Sequence, residues 1–147
     1  DYVMRVNVTG PMLLTQAVLP GMLERGHGTI ITVGSYAAIN ASPMAGAAYA
    51  ASKSAVANLM ENINHEFRNR GIRACTIYPG EVDTPILDGR ALVPNDDARR
   101  TMMHTDDMAE IILLCARLPQ RALIEQVIVR PTQLRDTQAD VEAALEA

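Results

Sequence analysis

Three short runs of apolar and β-branched residues alternate along the chain with longer segments in which apolar residues recur every three or four positions. The runs lie at 29–33, 73–78 and 126–129, and the helical periods lie at 2–25, 47–70 and from about 105 onwards. Helices that alternate with buried strands favour parallel pairing of the strands through right-handed crossovers. The sequence therefore predicts an α/β fold, and sites in such folds form beyond the carboxyl ends of the strands.

Proline and glycine residues mark where these elements begin and end. Pro11 and Pro20 are expected to kink or interrupt the first helix, and Gly71 is expected to cap the second. Pro79 and Gly80 end the second strand, and residues 81–103 are predicted to form a long loop with one helical turn.

The length of 147 residues suits one domain, and 48% apolar residues are enough for a sizeable core. No repeat or low-complexity linker divides the chain. We expect residues 1–131 to form the folded unit. Residues 132–147 are predicted to be a polar tail that frays as a marginal helix.

Charge and cysteine usage exclude several classes of function. The formal net charge of −4 argues against a dedicated nucleic-acid or membrane-surface binder. No apolar stretch approaches the ~20 residues that a transmembrane helix needs, and no signal peptide opens the chain.

Cys75 and Cys115 are predicted to be buried free thiols of a cytoplasmic protein. The three histidines have no metal-ligand spacing, so no metal site is expected.

Three residues at or after the first strand carry the candidate chemistry. Ser35 follows the strand at 29–33, and Tyr49 and Lys53 lie four residues apart on the helix that comes next. Positions i and i+4 share one helix face, so the ammonium of Lys53 can lie beside the phenol of Tyr49. A nearby positive charge stabilises a phenolate, which suits such a tyrosine to proton transfer. Lys53 is also the only lysine among thirteen basic residues.

Each of these features also has an ordinary structural explanation. The spacing Tyr-x-x-x-Lys arises by chance in many chains, and a serine after a strand is usually a turn residue. If Ser35 were the nucleophile of a hydrolase, it would be expected in a Gly-x-Ser-x-Gly elbow, which the sequence around Ser35 does not supply. It is the combination of residues at one strand end that favours a catalytic role.

Four motifs in order resemble the short-chain dehydrogenase/reductase family. They are Asn7 in Val-Asn-Val-Thr-Gly, the strand and turn Gly28–Ser35, Tyr49-Ala-Ala-Ser-Lys53, and Ile77-Tyr-Pro-Gly-Glu-Val-Asp-Thr84. The later run Ile-Val-Arg-Pro-Thr132 is similar to the branch that includes 3-hydroxy-acid and serine dehydrogenases. The resemblance implies a Rossmann-like three-layer fold and covers nearly the whole chain.

This resemblance implies a role for each matching residue. Tyr49 would be the general acid/base, and Lys53 would support it and bind the nicotinamide ribose. Ser35 would orient the substrate carbonyl, and Asn7 would anchor a water that links Lys53 to solvent. The cofactor, NADP or NAD with a mild preference for NADP, would also meet Pro79, Gly80, Val82 and Thr84.

The glycine-rich turn and the dinucleotide-binding strands of that family's first half have no counterpart in the sequence. We therefore interpret the chain as the C-terminal half of an NAD(P)-dependent oxidoreductase that interconverts a secondary alcohol and its ketone. Two alternatives stay open from the sequence: a non-catalytic dinucleotide-binding or scaffold protein of the same fold, and an inactive fragment that associates through apolar faces.

Two further expectations concern partners and substrate. The helices at 2–25 and 47–70 are rich in apolar and small residues, and the resemblance implies a homodimer or homotetramer built on them. The segment 81–103 is predicted to be a mobile lid over an apolar alcohol or ketone. The residues expected to line the substrate pocket, besides Ser35, are Tyr36, Met44, Ile86 and Leu87.

Overall fold

A three-stranded parallel sheet organises residues 2–147, the part of the chain that the computed structural model describes. The strands are β1 (Gly28–Val33), β2 (Ile72–Pro79) and β3 (Gln126–Val129). The α-helices are α1 (Tyr2–Met4), α2 (Gly10–Glu24), α3 (Ala47–Phe67), α4 (Asp96–Arg99), α5 (Thr105–Arg117) and α6 (Gln138–Glu146). The strand order is β1-β2-β3, with both pairs parallel. The predicted Rossmann-like α/β fold is thereby confirmed.

Strand β2 is buried along its whole length because helices cover both faces of the sheet. Its alternate residues enter two separate apolar cores. One core joins α2 and α3 to the sheet and contains Met60, Ile63, Ile72 and Ala74. The other joins α5 to the opposite face and contains Cys75, Ile77, Met103, Met108 and Cys115. The fold therefore has the three helix–sheet–helix layers expected from the alternating pattern.

The side chain of Asn64 attaches α3 directly to β2. Its Nδ2 donates to the carbonyl of Ala74, and its Oδ1 accepts from the Ala74 N–H, each at 2.7 Å. Strand β3 pairs with β2 only from Thr76 onwards, so it does not reach Ala74. The asparagine amide thus satisfies peptide groups that would otherwise be buried without a partner.

Pro20 does not interrupt the first helical segment as predicted, whereas the helix is irregular just before Pro11. Pro20 lies inside α2, and Leu19, Met22 and Leu23 hold that turn against the sheet. The irregularity lies earlier, where residues Arg5–Thr9 form a π turn between α1 and α2. Packing therefore outweighs the loss of the one hydrogen bond that Pro20 cannot donate.

Gly71 ends the helical run that begins with α3, as predicted. A 3-10 turn at Arg68–Arg70 precedes it, and Gly71 itself has a φ of 83°. Because a Cβ atom there would overlap the carbonyl oxygen of Gly26, only glycine fits this position. The tight turn sends the chain straight into β2.

Both cysteines are buried and unbridged, as predicted, and their Sγ atoms lie 3.7 Å apart. Burial raises the pKa of the Cys75 thiol to about 12, and the adjacent Cys115 adds to the effect. The Cys75 thiol is therefore protonated at neutral pH, so this pair packs as part of the core.

Two segments contain more regular structure than the sequence predicts. The stretch 81–103 holds a 3-10 turn at Pro85–Gly89 and the short helix α4, which Asn95 caps by accepting from the Ala98 N–H. The C-terminal tail forms α6, which packs against a 3-10 turn at Pro43–Ala45, instead of fraying. The cap on α4 is local, whereas the partner of α6 is distant in sequence.

Candidate active site

Tyr49 and Lys53 lie one turn apart on α3, with the Lys53 Nζ 5.6 Å from the centre of the Tyr49 ring. The ammonium also donates to the carbonyl of Val33, the last residue of β1, at 3.0 Å. That bond brings the face of α3 that carries both residues to the carboxyl end of the strand. The predicted proton-transfer pair is therefore adjacent in space.

Burial lowers the pKa of Lys53 below its ordinary value. Removing the ammonium from water disfavours its charged form, so Lys53 releases a proton more readily than an exposed lysine does. Proton exchange between the two side chains is the chemistry that this arrangement permits.

Ser35 lies two residues beyond β1, in the turn that also begins the 3-10 segment Tyr36–Ala38. Gly34 extends the strand pairing by donating to the carbonyl of Ile77 at 2.7 Å, and a Cβ atom at Gly34 would lie only 3.1 Å from that oxygen. The Oγ of Ser35 accepts from the N–H of Ala37 at 3.2 Å. Its own hydroxyl proton is thereby left to donate to another oxygen, as a carbonyl-orienting group must.

Asn7 is joined to the same helix through Ser52, a residue that the sequence analysis did not identify. The Asn7 Nδ2 donates to the Ser52 Oγ at 3.0 Å, and that hydroxyl donates to the Tyr49 carbonyl at 2.7 Å. Ser52 lies between Tyr49 and Lys53 in the sequence, and it is fully buried. The only signal in the sequence was a small polar residue between Tyr49 and Lys53.

The π turn at Arg5–Thr9 contains Asn7, and Pro11 follows four residues after Asn7. Proline has no N–H, so the carbonyl of Asn7 lacks the donor that an α-helix would provide. A π turn inside an α-helix frequently marks a functional site.

The turn after β2 carries the residues that the resemblance assigned to the nicotinamide. Gly80 donates to the carbonyl of Val129 at 2.7 Å, which holds the turn against β3. Val82 forms an isolated parallel bridge with Met103, in which Met103 bonds the Glu81 carbonyl and the Asp83 N–H. In a parallel bridge the central residue's own peptide groups point the other way. The N–H and carbonyl of Val82 are therefore directed away from Met103.

Thr84 follows this turn, and its backbone carbonyl accepts from the Leu87 N–H at 3.1 Å. Its hydroxyl makes no capping hydrogen bond to the 3-10 turn that it precedes. Peptide groups, a hydroxyl and the ammonium of Lys53 are donors and acceptors that fit an amide and a ribose.

The residues predicted to line the substrate pocket differ in their exposure and in their contacts. Ile86 is 80% exposed, whereas the adjacent Leu87 is 2% exposed, so these two side chains do not present one continuous wall. The Tyr36 ring is covered by the guanidinium of Arg130 at 4.3 Å from its centre. Met44 lies in the 3-10 turn that contacts α6.

Ion pairs hold the segment 81–103, which was predicted to be a mobile lid. Arg99 pairs with Asp83 at 2.7 Å and also with Asp88, and Arg90 pairs with Glu81 at 2.8 Å. The segment is therefore fastened to its own base at two points.

A statistical model of the family described as short chain dehydrogenase matches residues 1–92. The match includes Asn7, Ser35, Tyr49 and Lys53, together with the turn after β2. The chain belongs to the short-chain dehydrogenase family.

Similar proteins in this family include enzymes and solved complexes. The 2-(S)-hydroxypropyl-CoM dehydrogenase 3 of Xanthobacter autotrophicus is 41% identical over 77% of this chain and 48% of its own length. A closed form of serine dehydrogenase complexed with NADP+ superposes with a TM-score of 0.73 at 29% identity, over 84% of this chain and 52% of that one. A gluconate 5-dehydrogenase from Burkholderia cenocepacia, in complex with NADP and tartrate, gives 0.73 at 29% identity over 87% and 53%. The chain spans about half the length of these relatives.

Across residues 2–147 of this short-chain dehydrogenase chain, no group of three or more His, Cys, Asp or Glu side chains is placed to hold a metal ion. His27, His65 and His104 are all exposed. Within the same residues, no helix is both long and apolar enough to cross a membrane.

A charged cluster lies beside the turn that carries Val82. Arg135 donates to both oxygens of Glu81 at 2.8 and 2.9 Å, and to both oxygens of Asp140 on α6 at 2.8 Å. Arg90 adds another bond to Glu81. Burial alone would raise the pKa of Glu81, but the bonds and charges of the two arginines outweigh it and lower that pKa. The Arg135 bonds likewise lower the pKa of Asp140.

This cluster predicts a loss of stability in acid. A carboxylate whose pKa is lowered by folding stabilises the folded state above its unfolded pKa, and that stabilisation disappears as the pH falls through the folded value. Asp140→Asn should lower the free energy of unfolding by about 1–3 kcal/mol at neutral pH. It should also flatten the decline of that free energy between about pH 5 and pH 2. Urea unfolding across this range measures both effects.

The exposed pair Arg68–Glu125 provides the control, because its side chains are 48% and 52% exposed. Glu125→Gln should change stability by less than about 1 kcal/mol. An Asp140→Asn variant that matched this control at neutral pH would contradict the role assigned to the cluster.

Proposed function

We propose that the chain forms the catalytic half of an NAD(P)-dependent oxidoreductase that interconverts a secondary alcohol and its ketone. The observation that carries this proposal is the bond from Lys53 to the Val33 carbonyl, which brings Tyr49 and Lys53 to the strand end that Ser35 follows. A phenol, an ammonium and a hydroxyl at one strand end are the groups needed to exchange a proton with a carbonyl oxygen.

In the direction of reduction, Tyr49 donates its phenolic proton to the substrate oxygen. Ser35 donates a second hydrogen bond to that oxygen and holds it in place as negative charge develops. Lys53, whose pKa burial lowers, stabilises the phenolate that forms and passes a proton towards it. Asn7 holds the water from which Lys53 is reprotonated.

The residues around Val82 suit the nicotinamide end of the cofactor. A bound NAD(P) supplies or accepts the hydride. The peptide groups of Val82 would hold the carboxamide, and Pro79, Gly80 and Thr84 would shape the adjoining surface, while Lys53 would bind the ribose hydroxyls. A preference for NADP is supported by the similar structures that contain it.

Tyr49→Phe should lower kcat at least ~100-fold, because the ring is retained but its proton is lost. Lys53→Arg should also fail, because a forked guanidinium cannot replace a compact ammonium between the ring and the Val33 carbonyl. The assay follows NAD(P)H consumption with a panel of ketones, using the complete product of the gene that encodes this chain. Cofactor affinity, measured by fluorescence titration, should stay within about twofold for Tyr49→Phe. Unchanged kcat in that variant would refute the proposal.

The exposed side of the segment 81–103 would select the substrate. Ile86 would give the pocket an apolar side that favours a small or medium apolar substrate, with Tyr36 and Met44 on the loop after Ser35, while Leu87 holds the segment from beneath. Ile86→Ala should change KM and the ranking of ketones without loss of stability. Leu87→Ala should lower the free energy of unfolding by about 2–5 kcal/mol, as expected for a buried leucine. Substrate profiles and urea unfolding of the two variants separate these roles; an unchanged ranking for Ile86→Ala would exclude it from the pocket.

The first helical segment supports assembly into a homodimer or homotetramer together with α3. Its large apolar side chains are exposed in the single chain, among them Leu13 at 56% and Leu14 at 69%. Contiguous apolar surface of this kind marks association sites. The double substitution Leu13→Glu and Leu14→Glu should shift sedimentation of the gene product towards monomer. Leu114→Glu, on the exposed face of α5, is the matched control and should leave assembly unchanged; identical sedimentation of both variants would refute this interface.

A further inference from the structure

Arg135 is the most heavily bonded charged side chain near the candidate site, although it lies in the segment between β3 and α6. Its side chain is 12% exposed, and its guanidinium makes four hydrogen bonds to two carboxylates. A planar fork that engages two carboxylates at once has a fixed orientation. No step of the proposed reaction uses it.

One end of this arrangement holds the turn that carries Val82. Glu81 precedes Val82 directly, and its carboxylate is bound by Arg135 and Arg90. Its carbonyl accepts from the N–H of Met103 at 3.1 Å. Because side chain and main chain are both held, Glu81 fixes the plane of the peptide that leads into Val82.

The other end reaches the loop that follows Ser35. Asp140 is 7% exposed and belongs to α6, which packs against Pro43–Ala45. The cluster thus links the turn after β2 to the loop after β1 through a segment that contributes no strand to the sheet. Removing Arg135 would leave the carboxylates of Glu81 and Asp140 partly buried and without their main cationic partner. The closed turn would then be higher in free energy than a turn that opens and exposes these carboxylates to water.

We propose that Arg135 is a positioning residue for the cofactor, which locks Glu81 so that the peptide groups of Val82 are oriented before a nicotinamide arrives. This inference rests on the proposed function, since it concerns the same turn. Orientation in advance lowers the entropy that binding must remove. Arg135 therefore acts on cofactor affinity and has little influence on the proton transfer by Tyr49.

The test compares Arg135→Gln with Arg68→Gln, which breaks the exposed Arg68–Glu125 pair away from the turn. In the complete gene product, Arg135→Gln should weaken binding of NADPH and NADH about tenfold, while kcat at saturating cofactor changes less than about threefold. Without cofactor, hydrogen exchange of the amides at 81–83 should accelerate at least about tenfold. Arg68→Gln should leave both measurements at the wild-type value.

Equal exchange rates at 81–83 in the two variants would overturn the inference. Should Arg135→Gln fail to fold, Arg135→Lys takes its place, because it keeps the charge but loses the fork. It should still weaken cofactor binding several-fold and accelerate exchange at 81–83, and wild-type behaviour would overturn the inference equally. A wild-type protein that binds neither dinucleotide would refute the proposed function instead, while the exchange comparison would still decide whether Arg135 locks the turn.

Discussion

The two hydrogen bonds between Asn64 and Ala74 fix helix α3 on the sheet, and the candidate site depends on that attachment. The stripe of α3 that faces β2 contains Asn64, Met60 and Val56 in the core. Continued at the same helical period towards the N-terminus, the stripe contains Lys53 and Tyr49. These two residues lie where the helix passes the carboxyl end of β1. The same face of the regular helix therefore packs against the sheet at one end and carries the candidate catalytic residues at the other.

Interactions between neighbours in sequence made much of this arrangement predictable. The spacing of Tyr49 and Lys53, the turn at Gly71 and the ends of β1 and β2 all follow from local periodicity and from turn residues. The cap that Asn95 provides for α4 is local too, because an asparagine followed by two aspartates is typical of a helix start. What could not be predicted depends on partners far apart. Ser52 meets Asn7 across 45 residues, and Arg135 meets Glu81 across 54.

Three of the arginines make contacts that a lysine could not replace. Arg73, buried on β2, donates to the carbonyls of Leu118, Pro119 and Ala122, where α5 ends, and also to Thr29. Arg99 and Arg135 each join two carboxylates. Such contacts need a planar fork with several donors, which an ammonium does not provide. The single lysine, Lys53, instead places a compact and more readily deprotonated cation beside Tyr49.

The paired thiols of the core have a practical consequence for spectroscopy. With the pKa of Cys75 raised to about 12 and both sulfurs buried, these cysteines do not offer a thiolate to reagents that attack at neutral pH. A cysteine introduced at exposed Ile86 would then be the one site that takes up a fluorophore or spin label in the folded chain. Such a label would report on the exposed side of the segment 81–103, with the native cysteines left in place.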